Sequence, residues 1–189
     1  MRKTVEDIFA ESIEVKHETL KKNLTPIIDA AQVIITAFKA GHKLFFCGNG
    51  GSAADSQHIA AEFVGRFQKE RKAWPAIALT TDSSALTALG NDYSFDIVFS
   101  RQLQALGQKG DVLIAISTSG NSKNILEAVK QSKAMGITTV GVTGGSGGLL
   151  ANLCDIPIIA ASHKTARIQE SHLVIFHTIC ELVENTLAT

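Results

Sequence analysis

The spacing of apolar and polar positions changes several times along the chain, and each change marks an element. In the first forty residues Val5, Ile8, Phe9, Ile13 and Leu20 share one rough helical stripe, and the stretch from Pro26 to Phe38 is a second, more apolar one. Thr25 is a helix-capping residue, and Pro26 suits a first helical position, where its missing N–H would have had no partner. Residues 1–41 are therefore expected to form two helices.

Beyond them the period shortens. Apolar runs at 43–47, 76–79, 111–116, 138–142 and 156–159 are each bounded by polar or glycine-rich turns. Between them lie stretches of helical character at 53–66, 83–89, 94–106, 123–135 and 165–187. Five short apolar strands alternating with helices require a parallel sheet covered on both faces. The fold expected is α/β: a three-layer αβα sandwich with a five-stranded parallel sheet over 42–189, preceded by the two N-terminal helices over 1–41. All 189 residues fit one domain. In such folds ligands sit beyond the carboxyl ends of the strands, where the strand order reverses.

Composition adds exclusions. The formal net charge is zero, so bulk charge calls for neither nucleic acid nor an anionic membrane. No run approaches the roughly 18 apolar residues of a membrane span. The first residues, MRKTVEDIFAES, carry acids where a signal peptide needs its apolar stretch, so a cytoplasmic location is expected. Cys47, Cys154 and Cys180 have no CxxC spacing and read as free buried thiols.

Any anion must then be caught by local geometry, and two loops offer it. Gly48-Asn49-Gly50-Gly51-Ser52 leads from a strand directly into a helix, where glycines let backbone N–H groups approach an anion closely. Ser117-Thr118-Ser119-Gly120-Asn121-Ser122 repeats the arrangement with four hydroxyls, suited to a phosphate monoester. Either loop alone is also an ordinary cap and turn; two, each at a strand's carboxyl end, favour a ligand. Neither matches the GxxxxGK[ST] or GxGxxG patterns, so nucleotides are not favoured.

Two helices carry candidate chemistry. His58 and Glu62 lie four apart and project from one helical face behind the first loop. Gln169 and His177 lie eight apart on the last helix, returning to within roughly 80° of one direction. Histidine and carboxylate are zinc ligands, whereas a glutamine amide is a weak one. An i,i+4 His–Glu pair is also a common surface pair, and His172 competes with His177. Spacing leaves both questions open. His17, His42 and His163 have no nearby partners in the pattern.

CGNGGSAADSQHIAAE (47–62), GNDYSFD (90–96), GDVLIAISTSGNS (110–122) and ARIQESHLVIFH (166–177) together resemble the bacterial phosphoheptose isomerases, a family of sugar isomerase (SIS) domains with a flavodoxin-like sheet. The likeness covers nearly the whole chain. It implies conversion of sedoheptulose 7-phosphate to D-glycero-D-manno-heptose 7-phosphate, the first step of ADP-heptose synthesis for the lipopolysaccharide core. It further implies a homotetramer with sites between subunits, and one zinc ion per subunit held by His58, Glu62, Gln169 and His177. Substrate contacts fall on Asn49, Gly50, Gly51, Ser52, Glu62, Asn91, Asp92, Ser117, Thr118, Ser119, Ser122 and Gln169. Glu62 and His177 are the implied proton shuttles of an enediolate mechanism. Where some family members carry Asp, this chain has Ala166, so no carboxylate helps there.

A different class shares the fold: the replication-initiator-associating proteins that bind DnaA, whose sequences are similar around Thr80–Leu89. These relatives replace the residues matching Glu62 and His177, and this chain keeps both. A regulator's sensing domain would bring a DNA-binding segment, and a sugar-phosphate synthase would need two such domains in tandem; 189 residues hold neither.

Overall fold

The computed structural model describes residues 1–188. The chain runs α1 (Arg2–Lys39), β1 (Leu44–Cys47), α2 (Gly51–Val64), β2 (Ala76–Ala78), α3 (Ser83–Asp92), a 3-10 turn (Phe95–Ile97) and α4 (Ser100–Leu106). It continues through β3 (Val112–Ile116), α5 (Lys123–Ala134), β4 (Thr138–Gly144), α6 (Gly148–Leu153), β5 (Ile156–Ala160) and α7 (Thr165–Leu187).

The five strands form one parallel sheet in the order β2-β1-β3-β4-β5. Side chains alternate across a strand, so each strand supplies both cores. Leu44 and Phe46 pack with Ile114, Val140 and residues of α1, α2 and α7. Phe45 and Cys47 face the other way, against Leu113, Leu103 of α4, and Ile125 and Val129 of α5. This double burial is why the strands read as unbroken apolar runs. The three cysteines are buried and free, as expected.

The expected pair of N-terminal helices is corrected: residues 2–39 form one helix with Pro26 inside it. The proline removes one backbone hydrogen bond, at roughly 3 kcal/mol. Ile27, Ile34 and Ile35 are buried beyond it. At about 1.5–3 kcal/mol for each fully buried aliphatic side chain, their contribution exceeds that loss. The turn before the proline is also tied down. Asn23 Nδ2 donates to the Ile159 carbonyl at 2.9 Å, its Oδ1 accepts the Ile159 N–H at 2.9 Å, and Thr19 Oγ1 accepts the Ala161 N–H at 2.9 Å. α1 thereby closes the free edge of β5.

Two smaller differences follow from local chemistry. The single helix expected over 94–106 divides, because Ser94 Oγ accepts the Asp96 N–H and caps a separate 3-10 turn. A helix the pattern did not announce, α6, occupies the short space after β4.

Candidate functional site

Strand order reverses between β1 and β3, the two central neighbours whose crossovers leave toward opposite faces of the sheet. Both candidate loops stand at that point. After β1, Gly50 takes φ 56°, open to glycine at no steric cost, and its carbonyl accepts the Ala53 N–H at 3.0 Å. A Cβ on Gly48 would overlap the Ser52 backbone, and one on Gly51 would overlap the Gln169 amide nitrogen. The start of α2 and the first turns of α7 therefore touch at Gly51 and Gln169.

After β3, Ser117 Oγ lies 3.1 Å from Ser122 Oγ, and Ser119 Oγ accepts the Asn121 N–H at 3.2 Å. Gly120 has φ 67°, and a Cβ there would overlap the Gly147 carbonyl. The glycine-rich run 144–148, which the sequence reading passed over, thus lies directly beneath the serine loop. Its signal was available as four glycines in five residues. A second missed residue is Asn124, buried on α5. It exchanges two 2.9 Å hydrogen bonds with Asn49, joining the two loops across the switch point.

α2 and α7 bring the acid–base candidates together. His58 Nε2 lies 3.1 Å from His177 Nε2, and His58 Nε2 lies 3.7 Å from Glu62 Oε1. His58 is half exposed and Glu62 about one-fifth. His172, the rival, is fully buried, its Nε2 within 3.0 Å of the Thr143 carbonyl. Burial pulls its pKa down to about 4, partly opposed by that carbonyl, so His172 is a neutral core residue. One turn before His58, Asp55 has a buried carboxylate oxygen without a partner. Burial raises its pKa, and the adjacent His58 opposes the rise.

Asn91 and Asp92 end α3 on the surface, paired with each other at 2.9 Å. Among the described residues neither bonds to the loops or to the histidines. Thr118 is half-buried in the serine loop, and Ser52 is buried under the first loop.

The donor set can be tested against zinc. Two imidazole nitrogens on one tetrahedral ion with Zn–N of 2.0–2.1 Å stand roughly 3.3 Å apart, close to the separation seen here. Glu62 adds a carboxylate on the same side, while Gln169 lies by Gly51 with no hydrogen bond to this trio. Among the described residues no group of three or more His, Cys, Asp or Glu side chains forms a ready cage. The pair of histidines fits such an ion.

The SIS domain family model matches residues 8–144. A phosphoheptose isomerase of Clostridium acetobutylicum is 51% identical over 189 residues, covering 99% of this chain and 96% of its own. One from Aquifex aeolicus is 52% identical, covering 97% and 96%. The chain belongs to the phosphoheptose isomerase family. The solved phosphoheptose isomerase of Neisseria gonorrhoeae superposes with a TM-score of 0.92 at 44% identity, over 97% of this chain and 98% of that one. Its Francisella tularensis counterpart gives 0.93 at 38%, over 97% of each. Family members are sugar-phosphate isomerases, and the chain is an enzyme of that kind. These comparisons lend no support to the initiator-binding alternative. No helix among the described residues is long and apolar enough to cross a membrane.

Proposed function

We propose that this enzyme interconverts sedoheptulose 7-phosphate and D-glycero-D-manno-heptose 7-phosphate, the first step in making ADP-heptose for lipopolysaccharide. One observation carries this reading: Glu62 and the facing His58–His177 pair meet between α2 and α7, the two helices whose first turns touch at Gly51 and Gln169 beside the donor-rich loop that leaves β1. The serine loop holds the phosphate through Ser117, Thr118, Ser119 and Ser122, whose hydroxyls match its many acceptor oxygens. Asn49, the Gly50 and Gly51 backbone, and Ser52 hold the reacting end of the sugar, with Gln169 beside them. Asn91 and Asp92 orient its hydroxyls.

The reaction moves one proton between C1 and C2 through a cis-enediolate. Glu62 takes the proton from one carbon and returns it to the other on the same face, and His177 exchanges the hydroxyl proton. His58, Glu62, Gln169 and His177 would hold a zinc ion. Bound there, the ion supplies Lewis-acid polarisation of the carbonyl oxygen. Glu62 has two carboxylate oxygens, enough to serve as ligand and as base.

We assign the enzyme to a homotetramer with sites completed between subunits. Val5, Phe9, Ile13, Leu20, Leu24 and Ile28 are exposed along α1, far more apolar surface than a lone helix keeps in water. An apolar groove of about 560 Å³ runs between α1 and α7 beside them. Sugar phosphates are charged and membrane-impermeant, which fits a cytoplasmic enzyme.

Purified protein incubated with sedoheptulose 7-phosphate should yield the aldose phosphate. Glu62→Gln and His177→Ala should each lower kcat by about 10²–10⁴-fold at unchanged folding. A folded, zinc-supplied tetramer without turnover would sink the reading.

A further inference from the structure

The segment between α2 and β2, Gly65–Pro75, carries five charged residues in eleven, yet it is fixed to the protein from within. Glu184 of α7 is buried, and its carboxylate accepts the N–H groups of Phe67 (3.1 Å), Gln68 (2.8 Å) and Lys69 (2.9 Å). Arg71 Nε donates to the same carboxylate at 3.2 Å. The Arg71 guanidinium then caps the carboxyl end of α2, donating to the carbonyls of Glu62 (2.7 Å), Phe63 (2.9 Å) and Gly65 (2.9 Å). Its flat face lies 3.7 Å from the Trp74 ring.

This strap carries a single aromatic side chain between Gly65 and Ala73. The Phe67 ring lies 5.5 Å from the His177 ring, tilted by 32°. A working histidine is normally oriented by a hydrogen bond at its second ring nitrogen. Among the described residues, the only hydrogen bond of the His177 side chain is the one to His58. Packing has to supply what that second bond would have given.

We propose that Phe67, held in place by the Arg71–Glu184 strap, is a positioning residue that fixes the His177 imidazole at the angle from which it faces His58 and Glu62. The inference rests on the reading of Glu62 and His177 as the proton-moving pair. Phe67 touches no reacting atom; it acts through His177. The same strap grips the Glu62 carbonyl through Arg71, so one segment sets both members of the pair.

Phe67→Ala, Phe67→Leu and Phe67→Tyr separate this role from plain packing. In the metal-loaded enzyme, Phe67→Ala should lower kcat by about tenfold or more with KM nearly unchanged, while Phe67→Ala and Phe67→Leu both lose some of the stability of a ring packed against the core. Phe67→Tyr should restore the rate, and Phe67→Leu, which refills volume without a ring, should not. A wild-type kcat in Phe67→Ala, or equal rescue by leucine, overturns the proposal. A readout independent of turnover is the nuclear Overhauser contact between the His58 and His177 ring protons. It should weaken in Phe67→Ala, and its persistence at wild-type strength overturns the proposal as well. If the wild-type protein turns over no heptose phosphate, the proposed function fails, while this contact still decides whether Phe67 places His177.

Discussion

Helices α2 and α7 meet at two polar junctions that differ in almost every physical respect. At one, Glu184 and Arg71 are closed to water, their side chains 2% and 4% exposed, and nearly every donor faces an acceptor. At the other, His58, Glu62 and His177 stand partly open, with one ring-to-ring hydrogen bond and a 3.7 Å imidazole–carboxylate approach among them. A buried ion pair is tolerated only when its hydrogen bonds are satisfied, and a satisfied network is rigid. An open, under-bonded cluster keeps lone pairs and protons available to a ligand. The shut junction holds the helices in register, which in the proposed mechanism leaves the open one free to react. On that reading the same two helices separate stability from chemistry over a few turns.

The largest expected effect comes from opening the shut junction. Arg71→Met leaves the Glu184 charge buried without its partner, and removal of one member of such a pair costs about 3–5 kcal/mol. The cap on α2 is lost with it. The denaturant midpoint reports the loss, and adding Glu184→Gln to the same chain should return part of it. A cost under about 1 kcal/mol would mean that the three backbone N–H groups alone hold the carboxylate.

Next in size is an acid effect that contrasts two histidines on one helix. His172 is neutral and buried, its pKa lowered from 6.5 to about 4 by burial. A depressed folded pKa gives stability that is complete above the unfolded pKa. Between pH 6.5 and about 4 the unfolded chain binds a proton that the folded chain refuses, so stability falls with pH across that window. The full span corresponds to about 3 kcal/mol. Glu184 acts in the same direction lower down. Burial alone would raise its pKa, but the backbone N–H groups and Arg71 hold it below 4.5, so its contribution disappears as the pH falls below that value. His172→Gln should flatten the acid limb between pH 6.5 and 4 without changing its foot. An unchanged limb in that variant would show that His172 becomes protonated within the fold.

These contrasts explain what the sequence displays and what it hides. The strands and the two site loops are legible because their signals are local: an apolar run ending in glycines or hydroxyls. His58 and Glu62 are legible as an i,i+4 pair. Helical spacing could not choose between His172 and His177, because five residues apart on one helix the deciding quantity is which neighbour each ring meets. For His172 that neighbour is the Thr143 carbonyl, and for His177 it is His58, 119 residues away in sequence. Arg71 and Glu184 were invisible for the same reason: 113 residues separate them, and Arg71 sits in a run, Arg66-Phe-Gln-Lys-Glu-Arg-Lys72, that reads as solvated surface. The continuity of α1 through Pro26 was hidden because local rules assign the proline's cost but cannot see the core packed beyond it. The stripe of Val5, Phe9 and Ile13 is one helical face, as its spacing predicts, yet it points away from this chain's own core.

The smallest expected effect on folding belongs to Gly51, and it sharpens the comparison because it should leave both junctions standing. Gly50 and Gly51 are adjacent glycines needed for opposite reasons. Gly50 has open space around a Cβ but φ 56° with ψ −121°, outside the left-handed helical region, so Gly50→Ala costs backbone strain of roughly 1–3 kcal/mol. Gly51 is the first residue of α2 in ordinary helical conformation, where alanine is favoured over glycine by roughly 0.5–1 kcal/mol. Its Cβ would instead overlap the Gln169 amide, the far end of a flexible side chain that can move aside. The two effects nearly cancel in stability, so Gly51→Ala should unfold within about 1 kcal/mol of wild type. The displaced amide and the methyl group over the backbone N–H cradle should nonetheless weaken sugar binding and turnover together. Thermal unfolding and kcat/KM measured on the same preparation check this. Full activity in Gly51→Ala would remove Gln169 and the Gly51 backbone from the site, leaving the open junction to work with His58, Glu62 and His177 alone.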